Sequence, residues 1–318
     1  MNAAITIIVP GFDVADYAAE ALASLRAQTL PDWTAILVDD ASTDATADLF
    51  AEAAATDPRF RLVRHDERRG LSTARNTGLA LVQTPYLGFL DADDVLTPTA
   101  LERLVGTLDR TGSDFAVGAY VRLRPDATGG YAPGQVQPWV SAATDPARHG
   151  TTIDEHPEAS GNIVAWSKVS RTDFWRRAGL RFPDGRLYED QIVAQQMYSR
   201  ARRFDTLPEV VVHWRERADG SSITQGKSAL PVLREYLAAM TDGLEVLASA
   251  GHDAAVRSRL RLILEMDVPP LVDIARIHPD DGYRRAVGAF VRSLHARGGT
   301  HTLLDERTAR LLDAALLF

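Results

Sequence analysis

Short apolar segments alternate with amphipathic ones through the first third of the chain. Residues 5–9 form an apolar, β-rich run that ends at a Pro-Gly pair, and residues 16–28 carry apolar side chains at helical spacing. The alternation then repeats, with predicted strands at 34–38, 60–64 and 86–90 and predicted helices at 44–55, 71–82 and 98–109. Strands that alternate with helices predict an α/β fold with a mostly parallel central sheet flanked by helices.

The pattern weakens after Ala119. Residues 124–157 are rich in Gly, Pro, Thr and Asp and have few periodic apolar positions, so we predict a long functional loop there. A helix is predicted at 189–201 and a strand at 210–214. Beyond Ala229 the sequence is rich in Leu and Ala at helical spacing, which predicts a C-terminal helical region.

These changes of pattern predict two domains. The α/β domain spans 1–226, with a first half at 1–118 and a second at 119–226, and the helical region spans 227–318. Three roles are open for the helical region: packing on the α/β domain, self-association, and holding the chain near a membrane.

Composition narrows the function. The chain of 318 residues has a net charge of −8, so a basic surface that binds nucleic acid is not expected. It has no cysteine, which excludes disulfides, thiolate metal sites and a cysteine nucleophile. No segment has the apolar length of a signal peptide or a membrane span, so we predict a cytoplasmic protein, with peripheral attachment to the inner face of the membrane left open.

Carboxylates follow the predicted strands of the first half. Asp13 follows the first strand, Asp39 and Asp40 the second, and Asp91 and Asp93 the fourth. Ligands of open α/β sheets bind at the carboxyl ends of the strands, where these acids would converge. Carboxylates that repel one another suit a hard divalent cation shared with phosphate oxygens. Helix capping is the alternative, but it explains one acid of the 91–94 run and not three.

Five motifs, taken together, resemble the family 2 glycosyltransferases of the GT-A fold. In chain order they are TIIVPGFDVADY, ILVDDASTD, RRGLSTARNTGL, GFLDADDVLTP and LYEDQ. The resemblance covers roughly residues 4–225. It implies an inverting enzyme that uses Mn²⁺ or Mg²⁺ to move a sugar from a UDP-sugar donor to the hydroxyl of a glycan or polymer acceptor. Enzymes that build cell-surface polymers, including the teichoic-acid type, are the similar members.

The resemblance also implies roles on the donor side. Asp40 would recognise the uracil edge, with Asp39 beside it, and Arg75 would lie near the donor phosphate or sugar. Asp93 would contact the metal directly, and Asp91 would contact the ribose or the metal through water. Nucleotide contacts fall to Pro10 and Asp13, a further metal contact to His213, and diphosphate contacts to Arg215 and Ser222. Arg69 departs from the family pattern, in which Asn often precedes the Gly.

The acceptor side is assigned by the same resemblance. Asp190 matches the general base, which takes the proton of the attacking hydroxyl, and Glu189 is its neighbour. An acid at the start of a helix can also be a simple cap. Asn162, Trp166 and Lys168 fall on the acceptor side, where Trp166 is as compatible with the core as with a sugar ring.

Two other functions share this pattern. A nucleotidyl- or phosphotransferase would use the same metal chemistry, although PGFDVAD lacks the Gly- and Lys-rich loop that such enzymes usually have. An inactive nucleotide-sugar-binding module would be favoured if the acidic motifs were degraded, and both are intact.

Overall fold

A computed structural model describes residues 3–218, 226–298 and 305–318. A mixed sheet forms the centre. From one edge to the other its strands are Phe60–Arg64, Trp33–Asp39, Ile5–Gly11, Tyr86–Phe89, Lys168–Arg171, Phe115–Pro125, Phe204–Arg215 and Val95–Leu96, while Tyr131–Pro133 pairs with Phe115–Pro125 and Arg148–Thr151 with Phe204–Arg215. Two buried apolar clusters are present among the described residues, one around the sheet and one among the C-terminal helices.

Residues 5–89 have the predicted alternation. Their elements are β1 (Ile5–Gly11), α1 (Ala15–Arg26), β2 (Trp33–Asp39), α2 (Thr46–Thr56), β3 (Phe60–Arg64), α3 (Leu71–Leu79) and β4 (Tyr86–Phe89). β1 pairs in parallel with β2 and β4, and β2 pairs in parallel with β3, so the parallel sheet is confirmed here. α3 lies close against β1 at Gly78, where a Cβ would come within 2.5 Å of Ile8 Cγ2. The absence of a side chain at Gly78 therefore allows this close packing.

Beyond β4 the sheet is mixed rather than parallel. The elements there include β5 (Val95–Leu96), α4 (Ala100–Thr111), β6 (Phe115–Pro125), β9 (Lys168–Arg171), α6 (Thr172–Arg177), α7 (Glu189–Arg200) and β10 (Phe204–Arg215). β9 runs antiparallel to both β4 and β6, and β10 is longer than predicted. The central strand β6 was missed, because a strand buried on both faces shows no alternation.

The predicted loop at 124–157 is wrong in part. It contains β7 (Tyr131–Pro133), α5 (Pro138–Thr144) and β8 (Arg148–Thr151), followed by a 3₁₀ turn at Pro157–Gly161. These elements have three to seven residues each, which is too few to show a hydrophobic period.

The C-terminal region is helical, as predicted. It comprises α8 (Leu230–Ser249), α9 (Asp253–Leu262), a π-helical segment (Ile263–Asp267), α10 (Val268–Ile277), α11 (Asp281–Ala296) and α12 (Glu306–Leu316). α8 packs along α7, and the second apolar cluster includes Tyr188 from just before α7. The division after residue 226 stays a prediction. No helix in the described part of the chain is long and apolar enough to cross a membrane.

Candidate functional site

A cleft of about 520 Å³ opens where β1, β2 and β4 end. The loops after these strands form one wall, and the start of α7 with Trp166 and Trp214 forms another. Predicted residues that line it are Pro10, Asp13, Asp40, Arg75, Asp91, Asp93, Trp166, Glu189 and Asp190. The structure therefore brings both acidic motifs, which are about a hundred positions apart in sequence, into one space.

Arg75 joins the two acidic motifs. It projects from α3, is 1% exposed, and donates from Nη2 to Asp91 Oδ1 at 2.6 Å and from Nη1 to Glu189 Oε1. Burial opposes its charge, but the surrounding carboxylates raise the pKa of Arg75 above its usual value, so it stays cationic. Both terminal nitrogens of this guanidinium donate to protein carboxylates, and a contact to the donor phosphate stays a prediction.

Asp93, which lines the cleft, and its buried neighbour Asp94 both have raised pKa values. Burial raises the pKa of Asp93, opposed by Arg217, whose guanidinium lies 2.8 Å from Asp93 Oδ2. Burial and the neighbouring acids raise the pKa of Asp94 further. Asp94 Oδ1 accepts from Arg215 N, while its buried Oδ2 has no partner among the described residues. This excess of buried carboxylate is what a divalent cation would compensate.

The donor set fits a cation that substrate phosphate completes. Mg²⁺ and Mn²⁺ commonly take one or two protein carboxylates plus phosphate oxygens and water, and Asp91 and Asp93 supply two. Within residues 3–218, 226–298 and 305–318 no group of three or more His, Asp and Glu side chains is arranged to hold a metal alone.

His213 does not lie beside Asp91 and Asp93, so the prediction that it is a further metal ligand is corrected. Strand alternation puts Trp214 of β10 into the cleft and its neighbours His213 and Arg215 on the opposite face. His213 is half-buried near Glu20, and burial lowers its pKa.

Arg215 is also turned away from the cleft. Its guanidinium is 1% exposed, donates to Asp93 O at 2.7 Å and pairs with Glu20, and it lies over the Tyr17 and Tyr131 rings. It therefore supports the backbone of the acidic loop, and of these two neighbouring arginines it is Arg217 that lines the cleft. The other predicted diphosphate contact, Ser222, lies outside the described residues.

Asp40 lines the cleft, and Asp39 does not. Asp40 accepts from Arg69 N at 2.9 Å and Gly70 N at 2.7 Å, and it contacts His65 Nδ1 at 2.7 Å. A carboxylate has about four lone-pair sites, so about one is left for a base edge. Asp39 is fully buried and accepts from Ser42 N. Neither acid caps α2, whose first residue is Thr46.

Three residues other than glycine have positive φ in the described parts of the chain, and all lie at or beside the cleft. They are Asp13 (φ 47°), Ala41 (φ 61°) and Tyr188 (φ 58°). Such conformations cost roughly 1–3 kcal/mol each and concentrate at functional sites. The Asp13 carboxylate accepts from Thr43 N at 2.7 Å, so it holds the loop after β2 against the loop after β1.

Asp190 and Glu189 have different environments. Glu189 is 5% exposed and tied to Arg75, whereas Asp190 is half-buried and none of the described residues donates a side-chain hydrogen bond to it. Burial raises the pKa of both acids, and for Asp190 the result is about 6 after the opposing effect of Arg75. Asp190 is the second residue of α7 rather than its cap. Because Glu189 is bound to Arg75, Asp190 is the acid of this pair that is available to accept a proton in the cleft.

The predicted acceptor residues do not all line the cleft. Trp166 lines the cleft, edge-on to Tyr120 and stacked with Trp214. Lys168 is buried and donates to Asn162 O, Asn162 Oδ1 and Val164 O at 2.6–2.8 Å. An ammonium has three donors, so Lys168 has none for an acceptor, and this prediction is corrected. Burial lowers the pKa of Lys168 to about 7. Asn162 is likewise buried, outside the cleft.

The sequence pattern assigned no role to several cleft residues, among them Phe12, Arg68, Tyr188 and Trp214. The Arg68 guanidinium lies 3.9 Å from the centre of the Phe12 ring, so it is held beside the donor-side loops. The basic cluster at 61–69 and the alternation of β10 were the signals that could have found Arg68 and Trp214.

The model of the family described as "Glycosyl transferase family 2" matches residues 6–185, which is more than half of the chain. The chain belongs to glycosyl transferase family 2. The matched part contains β1 to β9 with every acidic motif except the last pair in α7. The cleft of this glycosyltransferase combines residues of the matched part, such as Asp91 and Asp93, with Glu189 and Asp190, which lie just beyond it.

The chain is similar in sequence to named bacterial proteins. The glycosyltransferase is 29% identical over 228 residues to the uncharacterized glycosyltransferase EpsJ of Bacillus subtilis, covering 71% of this chain and 65% of EpsJ. It is 40% identical over 123 residues to a teichoic acid poly(glycerol phosphate) polymerase of Staphylococcus epidermidis, covering 38% of this chain and 17% of the polymerase. The chain therefore spans less than two thirds of the length of these relatives.

Solved structures confirm the GT-A fold with its C-terminal helices. The glycosyltransferase matches S. aureus TarS 1-349 with a TM-score of 0.75 at 18% identity, covering 100% of this chain and 87% of that one. TarS 1-349 in complex with UDP-GlcNAc gives 0.65 at 19% identity, with 100% and 92% covered. The mannosyltransferase PcManGT of Pyrobaculum calidifontis, in complex with GDP-Man and Mn²⁺, gives 0.55 at 19% identity, with 100% and 87% covered.

Proposed function

We propose that this glycosyltransferase is an inverting enzyme that uses Mn²⁺ or Mg²⁺ and a UDP-sugar donor. The observation that carries the proposal is the convergence of Asp91, Asp93 and Asp190 in one cleft at the ends of the parallel strands. The acidic pair would hold the donor diphosphate through the metal, and the α7 acid would face the acceptor.

The donor side of the cleft supports a nucleoside diphosphate. Arg68 and Arg217 supply cationic groups at its wall, and Asp40 offers its remaining lone pair to the N3–H of uracil, which cytosine lacks. The TarS complex contains UDP-GlcNAc, which supports a UDP-sugar donor. The PcManGT complex contains GDP-Man, so the nucleobase of the donor is tested by comparing UDP with GDP.

The chemistry is a single displacement at the anomeric carbon. The acceptor hydroxyl oxygen forms the new bond to that carbon, the bond to the diphosphate oxygen breaks with its electron pair, and Asp190 takes the hydroxyl proton. A bound Mn²⁺ or Mg²⁺, held by Asp91 and Asp93, would stabilise the negative charge on the leaving diphosphate. Glu189 and Arg75 keep the start of α7 and the acidic loop at a fixed separation.

The acceptor is proposed to be the hydroxyl of a glycan or cell-surface polymer. Trp166 and Trp214 give the acceptor side an aromatic wall that suits a sugar ring. The teichoic acid poly(glycerol phosphate) polymerase among the similar proteins supports a polymer acceptor.

Calorimetric titration of UDP into metal-stripped protein tests the donor site. We expect Mn²⁺ to strengthen UDP binding at least about tenfold, and Asp93→Asn to remove that gain, because the amide lacks the anionic ligand. Asp48→Asn, an exposed acid of α2 outside the cleft, should behave like the wild type. If folded protein with Mn²⁺ binds GDP and not UDP, the UDP assignment is wrong. If it binds no nucleoside diphosphate of any base, the donor-site proposal fails.

The rate of sugar transfer is expected to fall at acid pH. Burial raises the pKa of Asp190 to about 6, and a base acts only when it is ionised, so kcat/KM should be level above that pH and fall about tenfold per unit below it. UDP release from a panel of UDP-sugars at pH 4.5–8 measures the profile. UDP affinity with Mn²⁺ at each pH separates loss of the base from loss of donor binding. An inflection near 4 would contradict the raised pKa.

A further inference from the structure

The segment that leads into α7 packs on the C-terminal helices. Leu187 and Tyr188 belong to the apolar cluster of those helices rather than to the cluster around the sheet. Arg186 pairs with Glu235 at 2.7 Å and Asp242 at 3.4 Å, both on α8. The residues just before Glu189 and Asp190 are therefore held by a part of the chain that the family model does not match.

Tyr188 makes the central contact. It has positive φ, lines the cleft and is the residue before α7 begins. The Tyr188 ring lies against the ring of Tyr236 on α8, with centroids 4.6 Å apart. Tyr236 in turn donates from its hydroxyl to Asp267 Oδ1 at 2.5 Å, so its ring is fixed from behind.

A second path returns from Asp267 to α7. Arg259 of α9 is 5% exposed and donates from Nη2 to both Asp267 Oδ2 and Gln191 Oε1, each at 3.3 Å. Gln191 directly follows Asp190. We call this set of contacts the α7 network. It runs from Tyr188, just before α7, through Tyr236, Asp267 and Arg259 to Gln191 in α7. Asp190 therefore lies between the two ends of the network.

The backbone at Asp267 is unusual. It ends the π-helical segment Ile263–Asp267, and the next helix starts at Val268 with two prolines that cannot donate backbone hydrogen bonds. π-helical turns are rare and occur often where a side chain must be placed for function. Here the turn brings Asp267 to both Tyr236 and Arg259.

We propose that the C-terminal helical region positions the general base, through the α7 network. Tyr236, Asp267 and Arg259 are positioning residues: they fix the positive-φ turn at Tyr188 and hence the direction in which Asp190 meets the acceptor hydroxyl. This inference rests on the proposed role of Asp190 as base. A rigid supporting shell matters because a misplacement of about 1 Å can cost orders of magnitude in rate.

The test compares two Tyr→Phe variants of the full chain. Tyr236→Phe keeps the ring against Tyr188 and loses only the hydroxyl bond to Asp267. Tyr86→Phe is the matched control, because Tyr86 is equally buried (4% exposed, as is Tyr236) and also bonds a carboxylate, Asp109, but at the opposite end of β4. UDP release from the best UDP-sugar of the panel gives kcat, titration gives the UDP affinity, and hydrogen exchange reports on the peptide at 186–192.

We expect Tyr236→Phe to lower kcat about tenfold, leave UDP affinity within about twofold, and speed exchange at 186–192. Tyr86→Phe should change none of the three. Asp267→Asn, which loses the charge facing Arg259, should repeat the Tyr236→Phe pattern. The inference is overturned if exchange at 186–192 does not change, or if it speeds up while kcat is unaffected. Failure of the base assignment is separate, since it shows as full turnover by Asp190→Asn.

Discussion

Replacing Asp190 with Asn is expected to lower kcat for sugar transfer by about 10³-fold, within the usual range for loss of a general base. The amide has nearly the same shape but cannot take the proton of the acceptor hydroxyl. UDP binding with Mn²⁺ should be unchanged, because Asp190 lies on the α7 side of the cleft. UDP release from the UDP-sugar panel and calorimetry measure the two properties on the same protein.

A matched control separates catalysis from helix stabilisation. Acids in the first turn of a helix favour it by roughly 0.3–1 kcal/mol, and Asp190 occupies that turn of α7. Asp253→Asn removes a first-turn acid from α9, which does not line the cleft. We expect full activity for that variant. Turnover by Asp190→Asn within about tenfold of the wild type would be too small a loss for a base and would rule out this assignment.

Replacing Arg75 with Met is expected to be the most destabilising single change near the cleft. The substitution removes the cation between Asp91 and Glu189 and leaves Glu189 buried without its partner. Breaking a buried ion pair from one side typically costs about 3–5 kcal/mol, and turnover should be lost together with the geometry of the cleft. Urea unfolding measures the change in the free energy of unfolding.

Two variants calibrate that result. Arg59→Met breaks a bond to Asp57 at the surface, where the arginine side chain is 37% exposed, and should cost no more than about 1 kcal/mol. Arg75→Met combined with Glu189→Gln should be less destabilising than Arg75→Met alone, because the buried charge is gone. Equal costs for Arg75→Met and Arg59→Met would show that the buried pairs do not hold the cleft together.

The amphipathic pattern was enough to predict where the cleft lies. Short apolar runs that alternate with segments of helical period in the first third predict β1 to β4 as parallel strands, and parallel strands bring the residues after them to one edge. Asp40, Asp91 and Asp93 could therefore be grouped without a structure. Asp190 could not be placed there by periodicity, and its assignment came from the family motif.

Local patterns were sufficient to predict an α/β fold, a helical C-terminal region and the candidate acids, since these depend on local periodicity and on which residue types carry charge. The face that each side chain takes could be read only from the folded chain, in which His213 and Arg215 point away from the cleft, Lys168 lies among carbonyl oxygens and Arg75 lies between two motifs. In the folded chain α8 also packs under Tyr188. These contacts join residues distant in sequence, and they follow from packing and from pairing buried charges, which no local pattern records.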